Sequence, residues 1–150
     1  IPRVLAVTVG TEVAFKNEDE IFHNVFSLTK PRDFDLGLYK GDQLPTRTFD
    51  NPGPVQLLCN IHTSMQGWVY VVPSPYYAQA DGSGGFVIKG VPPGKYTLKA
   101  WHESSSKVSE QPVDLSGGDN KVTISVGGDV RPPTFVPDKA GKLRQVQVGY

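Results

Sequence analysis

The chain has 150 residues, and its fifteen basic and fifteen acidic side chains cancel to a formal net charge of zero at pH 7. That length holds one ordinary domain or two small ones, and the balanced charge offers no global basic field to nucleic acid or to an anionic membrane surface. A single cysteine excludes an internal disulfide, and no apolar run approaches the roughly 18 residues of a membrane-crossing helix.

Sixteen glycines and thirteen prolines separate short β-branched and aromatic runs, a composition of strands joined by tight turns. Residues 1–73 give successive strands at "RVLAVTV", "TEVAFKN", "FHNVFSL", "TRTFD", "VQLLC" and "GWVYVV", the pattern of a β-sandwich or barrel. Between the third and fourth of these, "TKPRDFDLGLYKGDQLP" spaces Pro, Gly and Asp too closely for a long strand. It reads as a crossing loop that carries Phe34, Leu36, Leu38 and Tyr39 inward.

Pro73 and Pro75 interrupt the strand pattern, which places a domain boundary near Ser74. A second all-β unit, residues 74–127, follows, with a hairpin signal at Asp81-Gly82 and strands at "FVIK", "KYTLKAW", "KVSEQPVDL" and "KVTISV". Phe86, Tyr96, Leu98 and Trp101 are its expected core. Residues 128–150 show little periodicity and several prolines and are expected to form an irregular tail that wanders over a surface or reaches a partner. The first 73 residues carry six basic and eight acidic side chains and the remainder nine and seven, so the halves differ only slightly.

The chemistry gathers in "CNIHTSMQGWVYVV", where the only cysteine, Cys59, and the only methionine, Met65, flank His62 at equal distance. A thiolate, an imidazole and a thioether together suit copper, because soft sulfur stabilises Cu(I) while imidazole tolerates both oxidation states. A fourth donor should come from another strand, and "NEDEIFHNVFS" offers His23. Zinc is the competing metal, although methionine is a poor zinc ligand. With His23 and His62 committed, only His102 remains, too few imidazoles for a second copper centre, so an enzyme acting alone is not expected. His102 itself, in "KAWHESSS", has no nucleophile elbow around it. Glu18, Asp19 and Glu20 form an acidic turn before His23 that could steer a basic partner.

Two patterns, "V-x-V-G-x-x-V-x-F-x-N-x-D-x-x-x-H-N-V" and "P-G-x-V-x-x-x-C-x-x-H-x-x-M-x-G-x-V-x-V", make the first half of the chain resemble the cupredoxins. The two-residue gap between His62 and Met65 is similar to amicyanin rather than to plastocyanin. The resemblance implies a Greek-key β-sandwich with one type 1 copper on His23, Cys59, His62 and Met65. Asn24 and Asn60, each following a ligand, would tie the ligand segments together. It further implies a non-enzymatic carrier, periplasmic or extracellular, that moves single electrons between redox proteins such as a cytochrome c or a larger oxidoreductase. Electrons would leave near His62, with Ile61, Thr63 and Pro31 or Leu36 close by.

Cupredoxins begin with one or two strands before "PRVLAVTVG", so the first domain is expected to lack them or to be completed from elsewhere. Residues 74–127 resemble the transthyretin-like or carboxypeptidase-regulatory β-sandwich. Two other roles fit the same features: a structural or adaptor subunit of a larger electron-transfer assembly, and a copper delivery protein.

Overall fold

The computed structural model describes residues 3–127 and 135–145, and every regular element among them is a strand. They fall into two compact units, one made of residues 3–79 with 135–145 and the other of residues 80–127.

In the first unit β1 (Val4–Thr8) leads through a turn to β2 (Thr11–Ala14), followed by β3 (Val25–Ser27), β4 (Phe34–Asp35), β5 (Thr46–Phe49), β6 (Gly53–Cys59) and β7 (Gln66–Val72). Five of these form one sheet in the order β1-β7-β6-β3-β4, and β2 pairs with β5 in a second. β1 runs parallel to β7, with Leu5 opposite Val69 and Val7 opposite Val71; β6 and β7 are antiparallel, with Val55 opposite Val69. These valines share one face because side chains alternate along a strand. Phe49 from the second sheet packs against them, and Leu5, Val13, Phe15, Phe34 and Leu57 surround the cluster. The core is therefore the space between two sheets. Gly10, at φ +83°, makes the corner that carries the chain from one sheet to the other, and its amide donates to the Phe49 carbonyl.

The crossing segment 29–45 contributes β4 and buries Tyr39, while Phe34 and Leu36 are partly buried. Leu38 is 64% exposed, contrary to the expectation that it points inward. It follows Gly37, at φ +73°, which breaks the alternation that would have turned it toward the core.

The chain returns to this unit in β10 (Phe135–Pro137) and β11 (Leu143–Gln145), an antiparallel pair closed by Asp138 and Gly141. Val136 is buried in a cluster with Phe26 and Leu58. The tail expected to be irregular is thus a docked hairpin over these residues; 128–134 and 146–150 lie outside the described residues. Hydrophobic periodicity over three-residue strands is too short to read.

In the second unit β8 (Gly94–Ala100) and β9 (Ser109–Leu115) pair antiparallel, with Lys99 and Glu110 opposite each other in an ion pair of 2.8 Å. "FVIK" and "KVTISV" are not strands here. Both keep the expected alternation, with Phe86, Ile88, Val122 and Ile124 half-buried, but alternation specifies a face and not a ladder partner. Tyr96, expected in the core, is 37% exposed and donates its hydroxyl to the Pro92 carbonyl. No residue among 80–127 is fully buried.

Candidate metal centre

Strand pairing gathers the donors. β6 ends at Cys59 and β7 begins at Gln66, and the pairing of Leu58 with Gln66 closes residues 59–65 into one tight loop. The Met65 amide donates to the His62 carbonyl at 3.0 Å. On the neighbouring strand Val25 sits opposite Cys59. Just before it, His23 exchanges two backbone hydrogen bonds of 3.0 Å with Tyr39. The crossing segment thereby holds the backbone of His23 from the side opposite β6.

One nitrogen from each of His23 and His62 and the sulfur of Cys59 lie within 4.8 Å of one another. Cys59 Sγ is 3.8 Å from His62 Nδ1, and the two imidazole rings are 5.0 Å apart at 52°. Cys59 and His23 are buried and His62 is partly exposed. Asp19 Oδ2 lies 2.7 Å from His23 Nε2, while His23 Nδ1 is buried and has no hydrogen-bond partner among the described residues. The loop bearing Asp19 is shaped by buried Asn17, which donates to the carbonyls of Ile21 and Tyr39 and accepts the Asp19 amide.

Burial pushes the Cys59 thiol up, but the amides of Asn24, His62 and Ile61 and the His23 ring favour the thiolate more strongly. The net result is a thiol lowered to about 7, within reach of the deprotonated form that a metal requires. Burial likewise disfavours a charged His23, and the neighbouring Cys59 and Asp19, which favour the charged ring, outweigh it, so that His23 is raised. A buried, unpartnered ring nitrogen next to an acidified thiol is a donor set suited to a soft cation. The residues fit copper, with two imidazoles and one thiolate.

Met65 occupies the last position before β7 and is 39% exposed. Asn24 and Asn60 both lie against the centre. The two segments are tied by backbone: the Asn60 amide donates to the Asn24 carbonyl at 3.1 Å, and the His62 amide donates to Cys59 Sγ at 3.5 Å. The buried Asn24 side chain turns the other way, donating to Asp35 Oδ1 at 2.5 Å and to the Gly37 carbonyl at 2.9 Å. The Asn60 side chain accepts the amide of Lys139.

The sequence does not single out Asn17, Tyr39 and Arg144 as parts of the centre, and it marks Asp19 only as part of a charged turn. The four-residue spacing from Asp19 to His23 was the available signal. Outside the centre, His102 Nδ1 meets Ser104 Oγ at 2.7 Å within its own turn, and Asp81 Oδ1 accepts the Ser83 and Gly85 amides. Both sets of contacts close local turns.

A family model described as polysaccharide lyase family 4, domain II, matches residues 65–130. No curated protein matches the chain. Among solved structures, a copper-containing nitrite reductase from Thermus scotoductus is 28% identical over 48% of this chain, at a TM-score of 0.45. The chain spans only 20% of that reductase. A purple cupredoxin from Nitrosopumilus maritimus is 25% identical over 47% of this chain and 79% of its own, at a TM-score of 0.43. A reduced variant of amicyanin is 27% identical over 47% of this chain and 70% of its own, at 0.44.

Proposed function

We propose that the chain is a cupredoxin-type electron carrier that holds one type 1 copper on His23, Cys59, His62 and Met65. The observation that carries this reading is His23: its Nδ1 is buried without a partner in the same cluster as Cys59 and His62, while Asp19 engages Nε2. Copper bound there supplies a one-electron couple between Cu(II) and Cu(I).

The protein's own work is to hold the donors still and to bury His23 and Cys59. Asp19 keeps a proton on Nε2 and so leaves the Nδ1 lone pair free. The His62 amide donates to Cys59 Sγ at 3.5 Å and orients it, and with the neighbouring backbone amides it favours the thiolate. Buried Tyr39 and Phe26 and the strand pairing at Cys59 limit movement of the donors. Partly exposed His62, flanked by exposed Ile61 and Met65, is the proposed route for electrons to redox partners such as a cytochrome c or a larger oxidoreductase. With both centre histidines committed and only His102 left over, the role is that of a carrier, in the periplasm or outside the cell. Residues 74–127 are proposed as an accessory β module.

Visible absorption and electron paramagnetic resonance after Cu(II) addition test the reading, with Cys59→Ala in parallel. An intense thiolate-to-copper band that is lost in the variant supports it. A chain that stays colourless while binding zinc overturns it in favour of a structural metal.

A further inference from the structure

A cation supplied from far along the chain reaches the backbone of the centre. Arg144, on β11, donates from Nη1 to the Asn60 carbonyl at 2.6 Å and from Nη2 to the Cys59 carbonyl at 3.1 Å. Nη2 also lies 3.5 Å from the Pro137 carbonyl. The guanidinium thus forks across the carbonyls of the thiol-bearing residue and of its successor. It is partly buried, and among the described residues its acceptors are all backbone oxygens, so no carboxylate there neutralises it.

The same hairpin holds Asn60 at a second point, since the Lys139 amide donates to Asn60 Oδ1 at 3.4 Å. Lys139 Nζ pairs with Asp35, which in turn accepts from Asn24, the neighbour of His23. Val136, packed on Phe26 and Leu58, anchors the hairpin independently of Arg144.

We propose that Arg144 is a positioning residue of the metal centre, fixing the Cys59–Asn60 segment and placing a permanent positive charge behind the thiolate. The first part concerns the chain alone; the second rests on the copper reading above. A rigid fork to two carbonyls restrains the segment in a way that a single flexible ammonium cannot. A fixed cation beside the centre favours the form with less positive charge, and so raises its reduction potential.

The test uses the full chain as wild type, Arg144→Gln and Arg144→Lys. In the metal-free proteins, amide exchange at Asn60 and His62 is expected to be about tenfold faster in Arg144→Gln, the effect of losing charge-assisted hydrogen bonds. Arg144→Lys should exchange nearly as fast, because it lacks the fork, and it reads the same property should the glutamine variant fail to fold. In the copper-loaded proteins the potential should fall in Arg144→Gln and stay near wild type in Arg144→Lys, which keeps the charge.

Unchanged loop exchange in both variants would overturn the positioning role. Acceleration shared equally by the β6 and β7 amides would overturn it too, as general destabilisation. A potential unmoved by Arg144→Gln would overturn the electrostatic role. Should wild type show no thiolate-to-copper band, the copper reading falls, and exchange at Asn60 and His62 alone still decides whether Arg144 positions the segment.

Discussion

A histidine nitrogen is free to bind a metal only while the proton sits on the other ring nitrogen, and in His23 that choice belongs to Asp19, 2.7 Å from Nε2. Asp19→Ala should therefore weaken copper binding by about 10–100-fold, the range for partners that orient a ligand; competition against a chelator of known affinity measures it, and undiminished affinity would rule out the orienting role. Asp35 acts one layer further out. Burial pushes its carboxyl up, but the Gly37 amide, the Asn24 side chain and Lys139 outweigh that and hold it below the usual carboxylate range. A carboxyl depressed in the folded state contributes stability above its unfolded value and loses it as pH falls through the folded one. The melting temperature should thus drop on acidification below the ordinary carboxylate range, and Asp35→Asn should flatten part of that drop in a pH series of melts.

At the scale of elements, the facing sheets make Phe49 the bridge between β5 and the valines of β6 and β7. Phe49→Ala should cost about 3–5 kcal/mol in denaturant melts, the usual range for a buried aromatic, and a loss under 1 kcal/mol would contradict the two-layer core. The strands that build this core were legible because each is a β-branched or apolar run of four or more residues between clear turns, and the candidate centre was legible because Cys59, His62 and Met65 crowd one loop. β4, β10 and β11, at two or three residues each, carry too little period to be read. In the second unit the alternation of Phe86, Ile88, Val122 and Ile124 is real, yet no ladder forms there. Amides of 86–89 and 121–126 should accordingly exchange much faster than those of β6 and β7, and protection equal to that of β6 would mean that those segments are paired in solution.

For the whole molecule, the more consequential arrangement is that the first unit is built from two stretches of chain, 3–79 and 135–145, with the second unit between them. Sequence reading divides the chain in series, because a run of prolines and glycines marks where an element stops and not where the chain goes next. What the tail does could be learned only from contacts across 84 and 85 residues, those of Arg144 with Asn60 and Cys59. Such separations add little to the entropy of loop closure, which grows only logarithmically with length, but they govern the order of events. A chain made from its N-terminus presents both histidines, the cysteine and the methionine while the hairpin that braces them is still tens of residues from being synthesised. During biosynthesis the Cys59–Asn60 segment is consequently without the contacts of β10 and β11 until Val136 and Arg144 have been made.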